Sequence, residues 1–302
     1  MTGTRESDAR MLRRIGRRDF AFSRQVAVMA VINRTPDSFY DKGATFAMDR
    51  AVESALRAAE LGADWVDIGG VPFGRGPAVS VDEEIDRVVP LVDAIAEARP
   101  ELIISVDTNR APVAEAAIGA GAAVVNDTSG LGDPRMAEVL AGGDAHVVIT
   151  HSVGPPRAEK PAARFDDVVG EVRGFLAERM ALAESAGVPR ERLIVDPGHD
   201  LDKNTLHSLE ITRRIEEFAS LGAPLLVAVS NKDFIGESID RPQGERLAGS
   251  LAAMTACILG GARIVRMHEV AETVDAVRMT EAILGMREPA RLEHNMHPTH
   301  NV

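Results

Sequence analysis

The amino-acid sequence predicts a single α/β domain built as a (β/α)8 TIM barrel. Eight short apolar runs punctuate the chain, and nearly every one ends on a polar or charged residue. Amphipathic stretches of helical spacing separate them, several closing in Ala-Gly or Leu-Gly just before the next run. The first run is followed by NRTPDSFYDKG rather than by a G-x-G-x-x-G turn, which disfavours an open doubly wound sheet. Strands buried on both faces read as near-continuous apolar segments, and eight strand–helix units over roughly 250 residues suit one closed barrel.

The elements follow in order. The strands are VAVMAVI ending at Asn33, WVDIGG with Asp67, LIISVDT with Asp107 and AAVVND with Asn126 and Asp127. AHVVIT leads to His151, RLIVDPG carries Asp196, PLLVAVS ends at Ser230 with Lys232 behind it, and ARIVRMHEV holds Arg266 and His268. Among the helices, AMDRAVESALRAAELGA closes at Gly62, a C-cap position. SVDEEIDRVVPLVDAIAEA opens with Ser80 and has Glu83 three residues later, a capping-box pattern. The barrel is expected over residues 21–287, between a flexible N-terminal arm (1–20) and a C-terminal tail (288–302). His294, His297 and His300 lie on that polar tail and are expected to be solvated rather than to hold a metal.

Composition sets outer limits. The chain has 302 residues, 45% of them hydrophobic, enough for a large core, and a formal net charge of -12. So acidic a chain has no electrostatic footprint for nucleic acid or for an anionic membrane surface. No apolar run approaches the roughly 20 residues of a membrane span. The single cysteine, Cys257, lies in an apolar helical run and reads as a small core side chain. These features fit a cytoplasmic protein.

Strand ends of a barrel converge on one mouth. There Asp107, Asn126 and Asp196 offer paired donors and acceptors that suit a flat heterocycle with amidine-like N–H groups and a carbonyl. Lys232, Arg266 and His268 supply positive charge at the last two strands, where barrels commonly hold an anion.

These residues carry a resemblance. NRTPDSFYDKG is similar to the first-loop signature of dihydropteroate synthases, NVTPDSFSDGG. VDIGG, SVDT, ND-x-SG, DPG and a closing R-x-H follow in that family's order, from about Val26 to about Leu284. Pterin-binding domains of corrinoid methyltransferases share part of this pattern, but no cobalamin module is attached here. The resemblance implies a barrel that joins p-aminobenzoate to 6-hydroxymethyl-dihydropterin pyrophosphate with Mg2+ help. It also implies that Asp107, Asn126, Asp196 and Lys232 hold the pterin. Arg266 and His268 would then bind the diphosphate, with Asn33 near the metal. A homodimer through the late helices, including ERLAGSLAAMTACILGG, is a further implication.

The loops depart from the family in one region. Its GG-E-S-T-R-P-G is replaced by Gly69, Gly70, Val71, Pro72, Phe73, Gly74, Arg75 and Gly76. Its DPG-I-G-F-G-K becomes Asp196, Pro197, Gly198, His199, Asp200, Leu201, Asp202 and Lys203, turning an apolar wall acidic. Its S-R-K-S-F becomes Ser230, Asn231, Lys232, Asp233 and Phe234. The second serine of that motif receives the p-aminobenzoate carboxylate, where Asp233 would place a like charge. Two carboxylates at about 4 Å repel by roughly 4 kcal/mol at an effective dielectric near 20.

The expected function is therefore a second dihydropteroate synthase paralogue. It would keep the pterin pocket and be inactive or very weak in forming dihydropteroate. A working synthase is the first alternative and a non-catalytic pterin-binding or scaffold protein the second. A third is an enzyme for a different anionic substrate using His199, Asp200 and Asp202, against the simpler reading of these as solvated loop charges.

Overall fold

The computed structural model describes residues 11–33, 43–71, 79–154 and 164–295, the side chains of residues 33 and 43–47 excepted. A hairpin of β1 (Leu12–Ile15) and β2 (Arg18–Ala21) precedes the barrel. The barrel strands are β3 (Ala27–Asn33), β4 (Trp65–Gly69), β5 (Ile103–Asp107), β6 (Val124–Asp127), β7 (His146–Thr150), β8 (Leu193–Asp196), β9 (Leu226–Val227) and β10 (Ile264–Met267). They pair in parallel in the order β8-β7-β6-β5-β4-β3-β10-β9. A bridge between Val195 and Leu225 joins the two ends, so the sheet closes on itself. Each barrel strand coincides with one of the apolar runs.

The helices alternate with the strands. They are α1 (Gly43–Glu60), α2 (Val81–Ala98), α3 (Ala111–Gly119), α4 (Met136–Ala141), α5 (Val168–Ser185), α6 (Thr205–Arg213), α7 (Glu216–Ala219), α8 (Asp233–Ile239), α9 (Leu247–Leu259) and α10 (Val270–Ile283). α2 starts where its capping pattern requires, the Ser80 hydroxyl accepting from the Glu83 N–H at 3.1 Å. Cys257 is buried in α9, and burial pushes its thiol up to about 12, so it is inert.

Successive side chains on a strand point to opposite faces, and this period of two organises the interior. Outward positions such as Val28, Ala30, Val66, Ile68, Ile104 and Val106 pack under the helices. Inward positions form a dry floor of Met29, Trp65, Ile103, Val124, Val148, Ile194 and Ile264. Two residues further along, the inward positions turn polar at Asp67, Ser105, Asn126, Thr150, Asp196 and Arg266. The apolar floor and the polar ring belong to the same strands.

The expectation of a flexible arm over residues 1–20 is corrected for residues 12–20. Ile15, Phe20 and Phe22 are fully buried and plug the base of the barrel. Phe20 stacks on Phe22 at 5.7 Å and meets Trp65 edge-on at 5.6 Å. Arg18 reaches Asp64 at 2.6 Å and fastens the hairpin to the barrel. Residues 288–295 are exposed and outside any helix or strand, and His294 is among them. His297 and His300 lie outside the described residues.

Candidate functional site

A cavity of about 520 Å3 opens at the C-terminal ends of the strands. Val31, Gly69, Asp107, Asn126, Thr128, Thr150, Asp196, Ala228, Ser230, Arg266 and His268 line it from the barrel, and Val71, Asp200, Leu201, Asn231, Lys232, Asp233 and Gln243 from the loops. All four expected pterin residues and both expected diphosphate residues are thus brought to one cavity. Val71, Asn231 and Asp233, singled out as altered, stand at its rim. Pro72 and Phe73 lie outside the described residues. Asn33 ends β3 opposite Gly69, but its side chain is not among those described.

The centre of the polar ring is Asp67, a residue with no role in the sequence-based assignment. Its side chain is wholly buried. It accepts from Ser105 Oγ at 2.6 Å, Asn126 Nδ2 at 3.0 Å and Arg266 Nε at 2.6 Å. Arg266 Nη2 also approaches Asp107 Oδ2 at 3.6 Å. The guanidinium expected to meet a diphosphate is therefore already shared between two carboxylates. Three partners on three other strands orient Asp67, so it positions Arg266 and Asn126 rather than facing a ligand alone.

Two polar atoms in this ring have no partner: Asn126 Oδ1 and Thr150 Oγ1, both fully desolvated. A buried acceptor without a donor costs roughly 1–3 kcal/mol. Both residues line the cavity, with these two atoms set behind its accessible surface.

The titrating groups are displaced in the direction that burial dictates. Burial raises Asp107 to about 7, helped by the Asp67 charge and opposed by Arg266. Burial raises Asp196 to about 6, against the Gly198 N–H and the cations Lys232, Lys203 and Arg266. Burial lowers Lys232, and burial and Arg266 lower His268. Ser230 Oγ lies 2.8 Å from His268 Nδ1 and 3.2 Å from Glu269 Oε2, which fixes the imidazole. Asp127, one residue past Asn126, faces away from the cavity and caps its own turn through Ser129 and Leu131.

The DPG loop is built tightly. Asp196 Oδ1 accepts from the Gly198 N–H at 2.8 Å. Gly198 has φ +70, and a Cβ there would overlap the His151 carbonyl oxygen. Lys203 holds the loop from beneath, through the carbonyls of Gly198 at 2.9 Å and Leu201 at 3.0 Å.

The reading of His199, Asp200 and Asp202 as solvated charges is corrected. His199 is buried, stacks on Phe234 at 5.7 Å and bonds Thr212 Oγ1 at 3.1 Å. Burial lowers it to about 3, so it stays neutral and structural. Asp202 accepts from the Val153 N–H at 2.8 Å. Asp200 bonds Ser208 and the backbone of Asp233 and Phe234. The expected charge of Asp233 is displaced as well. Its side chain is 84% exposed and pairs with Arg246 at 2.9 Å, so the carboxylate lying against the loop backbone belongs to Asp200.

Residues 29–268 match the family model described as pterin binding enzyme. The chain is 45% identical over 269 residues to the inactive dihydropteroate synthase 2 of Mycobacterium tuberculosis (strain ATCC 25618 / H37Rv), covering 87% of this chain and 85% of that protein. It is 40% identical over 267 residues to the dihydropteroate synthase of Escherichia coli (strain K12), covering 88% and 94%. The Xanthomonas albilineans dihydropteroate synthase solved with 4-aminobenzoic acid superposes with a TM-score of 0.83 at 37% identity, covering 91% of this chain and 98% of that one. By this sequence match and this barrel, the chain belongs to the pterin-binding enzyme family, as a divergent homologue of dihydropteroate synthase.

Proposed function

We propose that the cavity binds a pterin-like heterocycle and that the chain is inactive or very weak as a dihydropteroate synthase. The observation that carries the first half is the convergence of the Asp107 and Asp196 carboxylates with Asn126 and Thr150 on one cavity. Acceptors at this density suit a ring edge rich in N–H donors. Lys232 flanks the same space, and Arg266 and His268 are the groups available to a diphosphate on the ligand. The second half rests on the loops: Val71 in place of the family's acidic residue, and the Asn231 and Asp233 substitutions. The inactive mycobacterial relatives point the same way.

Among the described residues, no three His, Cys, Asp or Glu side chains converge to hold a metal ion. Mg2+ is proposed only together with a bound diphosphate, near Asn33. Leu259 on α9 and Met279 and Ile283 on α10 are large exposed apolar side chains, 56%, 61% and 66% accessible. We assign them to a homodimer interface, which sedimentation at micromolar concentration tests. No helix among the described residues is long and apolar enough to cross a membrane, and a cytoplasmic location is proposed.

The deciding experiment is calorimetry with 6-hydroxymethyl-dihydropterin pyrophosphate, paired with complementation of a strain lacking dihydropteroate synthase. Binding without rescue is expected. Rescue at the level of an intact synthase would favour the working enzyme. Absence of binding would favour a scaffold role.

A further inference from the structure

One side chain joins the two loops that form the outer rim of the cavity. The first loop runs from Gly198 to Lys203 after β8, and the second from Ser230 to Asp233 after β9. Asp200 Oδ2 accepts from the Asp233 N–H at 2.6 Å and from the Phe234 N–H at 3.3 Å. Asp200 Oδ1 accepts from Ser208 Oγ at 3.0 Å, and the Asp200 N–H lies 3.1 Å from that same hydroxyl. The carboxylate is thus held by two backbone donors where the facing loop enters α8 and by one hydroxyl on α6.

The backbone on both sides supports this arrangement. Asp200 has φ 61 and Asn231 has φ 58. Non-glycine residues in that region are uncommon, and Asp and Asn are among the few that tolerate it. Both residues line the cavity. Arg246, the guanidinium reaching this rim, is occupied by Asp233 Oδ1, the Asn231 carbonyl and the Arg241 carbonyl.

We propose that Asp200 is a specificity-determining residue, excluding carboxylate-bearing second ligands because its own carboxylate already takes the backbone donors of Asp233 and Phe234. Each N–H has one hydrogen to give, so an incoming carboxylate finds these two spent. It also meets the charge of Asp200 at close range, with Arg246 already paired to the outward-turned Asp233. Neutral heterocycles suffer neither penalty and reach the inner ring of Asn126 and Thr150. The chain should therefore differ from the X. albilineans synthase, whose structure holds 4-aminobenzoic acid. The inference rests on the proposed pterin-binding role and names the residue that closes the second half of the cavity.

The test is calorimetric titration of p-aminobenzoate into wild type, Asp200→Gly, Asp200→Asn and the double variant Asp200→Gly with Asp233→Ser. Each is measured with and without 6-hydroxymethyl-dihydropterin pyrophosphate. Glycine accepts a positive φ without strain and frees both donors. Asparagine keeps the size and an acceptor oxygen but removes the charge. Asp200→Gly is expected to bind p-aminobenzoate at least about tenfold more tightly than wild type, the double variant more tightly still, and Asp200→Asn in between. Amide hydrogen exchange at residues 233 and 234 should quicken in Asp200→Gly and change little in Asp200→Asn.

Equal p-aminobenzoate affinity in all four proteins overturns the inference, whether that affinity is high or undetectable. If Asp200→Gly fails to fold, shown by a lost thermal transition, the isosteric Asp200→Asn decides, and no gain there overturns it. Failure of the pterin ligand to bind any of the four is a separate result. It sinks the proposed function, while the titration without that ligand still reports on Asp200.

Discussion

Asp67 and Arg266 are 199 residues apart in sequence and meet inside the barrel at 2.6 Å. The carboxylate is wholly buried and the guanidinium largely so. Removing one partner of a buried pair strands the other, at a cost of roughly 3–5 kcal/mol. Asp67→Asn and Arg266→Met should each lower stability by about that amount in urea unfolding. The double variant should recover part of the loss, since it removes the Asp67 charge together with its partner and leaves only Asp107 without the guanidinium. Full additivity of the two single losses would mean the pair is not coupled.

Thr150 separates ligand binding from folding. Its hydroxyl is buried without a partner, so Thr150→Val removes a penalty from the free protein. The variant is expected to be as stable as wild type or more stable by up to about 1 kcal/mol. If the hydroxyl serves a bound pterin, affinity for 6-hydroxymethyl-dihydropterin pyrophosphate should fall roughly threefold to tenfold, one hydrogen bond's worth. Calorimetry and thermal melts then move in opposite directions. Unchanged affinity removes Thr150 from the binding edge.

The same carboxylates predict opposite pH responses for binding and for stability. Asp107 is raised to about 7 and Asp196 to about 6, chiefly by burial. A ligand edge that donates N–H bonds needs both ionised, so pterin affinity should rise between pH 5.5 and pH 8. The unliganded fold responds in the other sense. Carboxylates raised above the unfolded value of about 3.9 contribute stability that is complete below that value and lost as pH rises through about 6 to 7. Asp127, raised to about 6 by burial, adds to that loss. Melting curves of the free protein and of Asp107→Asn between pH 5 and pH 8 check this. The variant should lose part of the decline, and parallel curves would contradict the assignment.

The barrel was legible because its strands are buried on both faces, so their apolar runs stand out against helices with mixed faces. Asp107, Asn126 and Asp196 were legible as chemistry because polarity inside such a run is costly. Asp67 sits in the same kind of run, but its role depends on which strands face it across the barrel, which one sequence does not display. The acidity of the loop at Asp200 was visible. Its effect was not, because a left-handed backbone at residue 200 turns that carboxylate onto a different loop. Asp233 shows the converse: a charge in the right place in sequence is drawn outward by Arg246.

The hairpin before the barrel escaped notice because four arginines, at 13, 14, 17 and 18, mask its short apolar alternation of Ile15, Phe20 and Phe22. Its weight in stability follows from where those side chains lie. Phe20 is fully buried between Phe22 and Trp65, with the Arg18 guanidinium 4.9 Å from its ring centre. Phe20→Ala leaves a cavity in the barrel floor and should cost about 3–5 kcal/mol. Arg14→Ala is the matched control on the same hairpin. Arg14 is 62% exposed and, among the described residues, pairs with the equally exposed Asp19, an interaction worth about 0–1 kcal/mol. Urea unfolding of the two variants should differ accordingly. Equal, small losses from both would restore the flexible arm, and a large loss from Phe20→Ala alone makes the hairpin part of the barrel's core.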